Sequence, residues 1–154
     1  MTLWFDHGVH PSGKVYNYVT LPGMSSTEAG AYAANPEIAI LANNSSVQAV
    51  KETSLNMIGA NFWTNTTKTV DMITSSQQAS VMTKENTGND LEVAVSDPTM
   101  NNTGTIELEL ARSASGLAWS DPEVTVTQIS PTIKIAFNVS GAKGKTIRAK
   151  FDLN

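Results

Sequence analysis

The sequence predicts an all-β protein, an antiparallel β-sandwich with one short helix near its N-terminus. Three observations support this fold class. Thr, Ser and Asn make up 46 of the 154 residues, and Thr favours strands whereas Ser and Asn favour turns. Several segments alternate apolar with polar or small side chains, as a strand with one buried face does. Turn-forming residues separate these segments at short intervals, which is typical of a sandwich.

The helix is predicted from its two ends. Ser25 and Glu28 form a capping-box pattern ahead of an Ala-rich stretch. Asn35-Pro36 ends that stretch, because the residue before a proline is disfavoured in helical conformation. We therefore predict a helix at Ser26–Ala34.

Strand signals occur on both sides of the helix. Before it, residues 3–6 form a short apolar run, and residues 15–21 combine β-branched and aromatic side chains. After it, the predicted strands are 38–41, 47–52, 55–62, 69–73, 79–84, 91–96, 105–111, 124–129, 132–139 and 145–153. The alternation is most regular in residues 106–110, 133–137 and 147–151. A domain boundary is expected between residues 34 and 44.

Charge and composition argue against several functional classes. The net charge is −4 and the sequence pI is about 5.0, so the broad basic field that nucleic-acid binding requires is not expected. With no cysteine, disulfides, thiolate zinc sites and a cysteine nucleophile are excluded. No apolar run approaches the roughly 20 residues of a membrane span. The first residues lack a signal-peptide pattern and suggest that the chain continues a longer one.

Two clusters could in principle carry chemistry. Asp6, His7 and His10 have metal-ligand side chains within five positions, but a polar turn explains them better, since the chain has no other histidine. Glu107 and Glu109 lie on the same face of a predicted strand, which the alternation assigns to solvent. Glycosidase carboxyls instead face each other across a cleft. We therefore predict no metal and no cofactor, and we interpret the two glutamates as a solvent-exposed face rather than a catalytic pair.

A third cluster suggests carbohydrate binding. Four of the ten basic residues lie within eight positions, namely Lys143, Lys145, Arg148 and Lys150. They could attract an anionic polysaccharide, or they could protect a C-terminal edge strand from aggregation. An exposed tryptophan would add a flat apolar platform for sugar rings. Trp119 lies in a turn-rich segment and is expected to be exposed, whereas Trp4 and Trp63 lie in apolar runs and are expected to be buried.

A long ordered run of residues resembles one known family. The run begins with Trp4-Phe5-Asp6-His7-Gly8 and Tyr16-Asn17-Tyr18-Val19-Thr20-Leu21-Pro22-Gly23, and continues through Glu28, Tyr32-Ala33-Ala34-Asn35-Pro36, Ile40-Leu41-Ala42-Asn43, Val47-Gln48-Ala49-Val50 and Ala60-Asn61-Phe62-Trp63. In this order and spacing it resembles the family 8 polysaccharide lyases, the bacterial hyaluronate, chondroitin AC and xanthan lyases. About sixty residues carry the resemblance densely.

The resemblance implies both a domain organisation and a role. Residues 1–36 would be the last strands and exit helix of the lyase's central β domain, and residues 37–154 its C-terminal β-sandwich domain. The catalytic Tyr, Asn and His of the family belong mainly to an α/α toroid, so no catalytic residue is carried over. The resemblance therefore implies a non-catalytic portion of a secreted, extracellular enzyme. Its partners would be the toroid, the central β domain and an acidic polysaccharide such as hyaluronan, chondroitin or xanthan.

Three alternatives remain open at this point. The first is a free-standing carbohydrate-binding module for acidic polysaccharide, with Trp119 and the basic C-terminal strand as its site. The second is a small metalloenzyme built on Asp6, His7 and His10. The third is an adhesin-like structural module without a ligand.

Overall fold

The structure is a computed structural model that describes residues 4–154. The chain divides into two compact units, Met1–Pro36 and Glu37–Asn154. Each unit is described separately below. No helix within residues 4–154 is long and apolar enough to cross a membrane.

The first unit contains one helix, α1 (Ser26–Ala34), as the sequence predicts. Ser25 caps it: the Glu28 N–H donates to the Ser25 hydroxyl, and the Ser25 N–H donates to the Glu28 carboxylate. The helix ends at Asn35, before Pro36. The two hydrogen bonds of this capping box satisfy backbone N–H groups that the start of a helix leaves without a partner.

The strand predicted at residues 15–21 is wrong, because no strand is assigned between residues 4 and 25. Propensity alone does not make a strand, which needs a hydrogen-bonded neighbour along its length. The predicted run at residues 3–6 begins at Leu3, outside the described residues, and its described part is also not a strand.

The second unit is an antiparallel β-sandwich, so the predicted fold class is confirmed. Residues 37–154 form twelve strands: β1 (Ile38–Asn43), β2 (Val47–Glu52), β3 (Met57–Phe62), β4 (Lys68–Val70), β5 (Ile73–Ser75), β6 (Ala79–Asn86), β7 (Asp90–Ser96), β8 (Thr105–Leu110), β9 (Ala114–Ser120), β10 (Val124–Gln128), β11 (Ile133–Asn138) and β12 (Ile147–Leu153). One sheet has seven strands in the order β1-β2-β3-β6-β7-β12-β9. The other has five in the order β10-β11-β8-β5-β4.

The alternating sequence pattern places the core between the two sheets. Ile147, Ala149 and Phe151 of β12 are fully buried, while Arg148 and Lys150 between them point outward. Strands β8 and β11 alternate in the same way. The largest core side chains are phenylalanines, and burying each one stabilises the fold by about 1.5–3 kcal/mol.

A buried carboxylate organises the loop between β7 and β8. Oδ1 of Asp97 accepts hydrogen bonds from the N–H and hydroxyl of Thr99, at 2.9 and 2.7 Å, and its Oδ2 accepts one from the Asn102 N–H at 2.8 Å. Burial raises the pKa of Asp97, but these hydrogen bonds outweigh it, so the pKa lies below its usual value.

Three predictions for the second unit also differ from the structure. The strand expected at residues 69–73 is a hairpin, β4 and β5, which turns at Asp71 with a φ of 49°. Strand β9 was expected to be a turn-rich segment. The suggestion that the basic segment is an edge strand is also wrong, because β12 pairs with β7 on one side and β9 on the other.

Candidate functional site

The predicted carbohydrate site lies at the end of the seven-stranded sheet, where β9 is the edge strand. Trp119 of β9 is aligned with Lys150 of β12, and 41% of its surface is exposed, as the sequence predicts. The guanidinium carbon of Arg148 lies 5.6 Å from the centre of the Trp119 ring. This distance permits a cation–π contact, so the arginine helps to hold the ring in place.

The fold brings a carboxylate to most of the predicted basic residues. Lys145 Nζ lies 2.6 Å from Glu123 Oε1, and Arg148 Nε lies 4.0 Å from Asp121 Oδ2. Lys150 Nζ lies 3.2 Å from a carboxylate oxygen of Asp90 and 3.6 Å from one of Glu92. Three of the four predicted basic residues therefore have an acidic partner within 4.0 Å, and four carboxylates surround these three cations.

The pKa shifts favour the ionised forms of two of these pairs, Lys145 with Glu123 and Lys150 with Asp90. The hydrogen bond to Glu123 raises the pKa of Lys145 and lowers that of Glu123. The hydrogen bond to Asp90 likewise raises the pKa of Lys150. A polyanion would have to compete with these internal carboxylates for the lysines.

Lys143 is placed differently from the other three basic residues. It lies in the turn before β12 with a φ of 50°, and it is exposed. Within residues 4–154, no ion pair within 4.0 Å joins it to a carboxylate. Of the four predicted cations, Lys143 is therefore the one that an external anion reaches without displacing a partner.

The predicted burial of the other two tryptophans is wrong. Trp4 is 75% exposed and Trp63 is 39% exposed. Trp63 follows β3, two residues beyond Asn61, and its indole N–H donates to Gln48 Oε1 at 3.3 Å. Sequence reasoning missed this surface because Trp63 follows Phe62, which is buried, and adjacent residues in a strand point to opposite faces.

The structure shows turn-like contacts rather than metal geometry at the histidine cluster. The Asp6 carboxylate accepts a hydrogen bond from the Gly8 N–H at 2.8 Å, which ties the loop locally. The His7 ring lies 6.4 Å from the Tyr16 ring. Across the described part of the chain, no three His, Cys, Asp or Glu residues converge as metal ligands.

The carboxylate pair on β8 faces outward, as the alternation predicts. Glu107 and Glu109 lie on the surface of the five-stranded sheet. Glu109 lies 3.9 Å from Lys134 and accepts a hydrogen bond from the Thr132 hydroxyl at 2.6 Å. These contacts stabilise neighbouring strands of the sheet.

Comparison with known proteins relates this fold to one family. Residues 39–106 match the family described as "Polysaccharide lyase family 8, C-terminal beta-sandwich domain". The chain is therefore similar to the C-terminal β region of family 8 polysaccharide lyases. The resemblance inferred from the ordered run of residues is thus confirmed.

Relatives and solved structures agree on this assignment. The chain is 57% identical over 152 residues to a xanthan lyase of Bacillus sp. strain GL1, covering 99% of this chain and 16% of the relative. It is 32% identical over 146 residues to a hyaluronate lyase of Enterococcus faecalis, covering 95% of this chain and 14% of the relative.

Structural similarity extends over the same region. A Paenibacillus xanthan lyase structure aligns with a TM-score of 0.84 and 49% identity, over 87% of this chain and 13% of that one. A Streptomyces coelicolor chondroitin AC lyase structure aligns with a TM-score of 0.86 and 26% identity, over 96% of this chain and 19% of that one. The chain therefore spans less than a fifth of the length of these proteins.

Proposed function

We propose that the chain is a non-catalytic C-terminal β portion of a secreted polysaccharide lyase, one that supports the β half of the enzyme. One observation carries the proposal: 99% of the chain aligns at 57% identity with only 16% of a xanthan lyase. The chemistry would then belong to the rest of the enzyme, which cleaves an acidic polysaccharide by β-elimination. Residues 1–36 would end the central β domain, and residues 37–154 would form the C-terminal domain.

The exposed aromatic surface of the first unit supports a role in docking to the rest of the lyase. Phe5 stacks on Tyr16 with ring centres 5.0 Å apart, and Tyr18 lies 6.4 Å from Phe5. All three side chains are exposed, and none of the described residues of this unit is buried. Contiguous apolar surface of this kind marks an interaction site, and the central β domain is the partner that the family resemblance suggests.

A direct contact with acidic glycan is the second part of the proposal. Trp119 offers a ring for stacking on a sugar, and Lys143 would pair with a uronate carboxylate. Arg148 would add to this contact, because its distance to Asp121 is as long as 4.0 Å. Lys145 and Lys150 would contribute less, because Glu123, Asp90 and Glu92 already pair with them. Contact through Trp119 should therefore dominate over charge.

The non-catalytic role is tested by incubating the purified chain with hyaluronan, chondroitin and xanthan. The unsaturated uronate that β-elimination produces absorbs in the ultraviolet, so its absorbance reports cleavage directly. We expect no increase with any of the three polymers. Sustained production of unsaturated uronide by a pure preparation would overturn the proposal.

The supporting role needs a separate experiment. The Bacillus xanthan lyase can be truncated before the region that matches this chain, and its thermal unfolding measured with and without the chain added. We expect a higher unfolding temperature when the chain is present, because a partner that binds only the native state stabilises it. A variant with Phe5, Tyr16 and Tyr18 replaced by Ser should lose this effect. No effect from the unaltered chain would contradict the supporting role.

A further inference from the structure

A second surface on the seven-stranded sheet, distant in sequence from Trp119, has features of a ligand site. It is centred on Trp63, whose backbone N–H and carbonyl groups are both hydrogen-bonded. The Trp63 N–H donates to the Ser46 carbonyl at 2.9 Å, and the Trp63 carbonyl accepts from the Gln78 side-chain amide at 2.9 Å. The indole is therefore held in position while 39% of the residue stays exposed.

Two side-chain amides beside Trp63 are oriented by hydrogen bonds. Gln48, Asn61 and Ser80 are aligned across β2, β3 and β6, so they lie in one row with neighbours about 4.8 Å apart. The Trp63 indole N–H donates to the Gln48 carbonyl oxygen at 3.3 Å, and the Ser80 hydroxyl donates to the Asn61 carbonyl oxygen at 2.7 Å.

These contacts leave donor groups for a ligand. Each amide has its oxygen occupied, and within residues 4–154 neither NH₂ group has a protein acceptor. Each NH₂ group carries two N–H donors. The row therefore presents fixed donors to an oxygen-rich ligand, and their orientation is set before any ligand binds.

A depression lies directly beside this row. Gly59, two residues before Asn61 on β3, is aligned with Val50 on β2 and Met82 on β6. Both neighbours are exposed apolar side chains, whereas a Cβ built on Gly59 would meet no atom within 4 Å. The glycine thus leaves an apolar hollow between two side chains, next to the amide donors.

The Trp63 side of this hollow is uncharged, whereas the row on its other side carries Glu52, Lys84 and Glu92. The row formed by Gln48, Asn61, Ser80 and Ser96 contains only neutral polar side chains. An aromatic ring, an apolar hollow and fixed N–H donors together suit a ligand with an apolar C–H face and a rim of hydroxyl oxygens. We propose that Trp63, Gln48, Asn61 and the Gly59 hollow form a binding site for a neutral sugar unit of a polysaccharide.

This inference is independent of the lyase role and of the Trp119 contact. Binding at the Trp63 surface should be nearly unaffected by ionic strength, because it uses no charged side chain and salt screens only interactions between charges. Because the Trp119 contact is also expected to depend little on salt, substitutions rather than ionic strength separate the two surfaces.

The test measures binding of a soluble cello-oligosaccharide, a neutral probe, to the whole chain by isothermal titration calorimetry at low and high salt. We expect similar affinities at both salt concentrations. Trp63→Ala should weaken binding at least about tenfold, which is about 1.4 kcal/mol. The NMR signal of the Trp63 indole N–H, assigned from its absence in Trp63→Phe, should shift on titration.

A second variant separates ligand binding from folding. Gly59→Leu should fill the hollow and weaken binding by a similar factor. It should also fold, because Gly59 does not have a positive φ and leucine suits a strand interior better than glycine. Thr125→Leu, which places the same side chain on the exposed surface of the other sheet, is the matched control and should retain the affinity.

Three outcomes would overturn the proposal. The first is no measurable binding of the neutral probe by the unaltered chain. The second is equal binding by the unaltered chain and by folded Gly59→Leu. The third is a loss with Trp119→Ala as large as that with Trp63→Ala, which would place the neutral sugar at the other end of the sheet.

Discussion

Replacing Trp119 by alanine should weaken binding of acidic polysaccharide about tenfold. A tryptophan presents up to about 250 Å² of surface, so its exposed 41% is about 100 Å². A flat sugar ring that covers half of this area removes about 50 Å² from water, which at about 25 cal/mol per Å² stabilises the complex by about 1.3 kcal/mol. That free energy corresponds to a factor of about ten in the dissociation constant.

The assay is affinity electrophoresis in gels containing hyaluronan, chondroitin, xanthan or a neutral glucan. The unaltered chain should be retarded by at least one acidic polymer, and moderate salt should reduce the retardation only slightly because most of the nearby cations are already paired. Trp119→Ala should need about ten times as much polymer for the same retardation. Circular dichroism and thermal unfolding verify that the variant is folded.

Leu117→Ala provides the control for this experiment. Leu117 is an exposed apolar residue of the same strand, but it is aligned with Phe151 rather than with Lys150. It should leave the retardation unchanged. If Trp119→Ala were retarded as strongly as the unaltered chain in every acidic gel, the reasoning about Trp119 would be refuted. Absence of retardation of the unaltered chain in all four gels would refute the glycan contact itself.

Three further changes should have measurable effects. Glu123→Gln frees Lys145 from its ion pair and should strengthen polyanion binding about threefold and make it more salt-dependent, as measured by the same electrophoresis. Asp97→Asn should lower the free energy of unfolding in urea by about 3 kcal/mol, because its hydrogen bonds are to a charged acceptor. The pKa of Asp97 is lowered in the folded state. The stabilisation by this carboxylate is therefore fully present above its unfolded pKa of about 3.9 and is lost as the pH falls through the lower folded value. The asparagine variant should lack this part of the pH dependence of stability. Phe137→Ala, at a fully buried site, should cost about 3–5 kcal/mol in the same urea measurement, and a loss below about 1 kcal/mol would contradict the packing described for the core.

Local signals predicted most of the individual elements. The capping box of Ser25 and Glu28 and the stop at Asn35-Pro36 predicted α1 with its bounds, because both signals act within one or two turns of chain. The alternation in β8, β11 and β12 likewise predicted which side chains are buried, since one face of a strand meets the core. Strand β9 was missed because Gly116 and the small residues around it resemble a turn.

The candidate sites depend on contacts that no local pattern encodes. Trp119 was predicted to be exposed, but its contact with Arg148 spans 29 positions and depends on β9 pairing with β12. The pairing of Lys145 with Glu123 spans 22 positions, and together with the pairing of Lys150 with Asp90 it offsets part of the charge of the expected basic patch. Trp63 was predicted to be buried because its neighbours in sequence are apolar. The sequence alone does not show which face of the sheet its side chain occupies.

The sequence by itself determined the fold class, the single helix, the alternating core positions and the likeness to family 8 lyases, because these follow from the local chain and from the order of its residues. Only the tertiary structure decided that β12 lies inside the seven-stranded sheet, that carboxylates pair with Lys145 and Lys150, and that Gln48, Asn61 and Ser80 form one row beside Trp63. The physical reason is that strand order and register are set by the global packing of two sheets. Side chains far apart in sequence become neighbours only after that packing is complete.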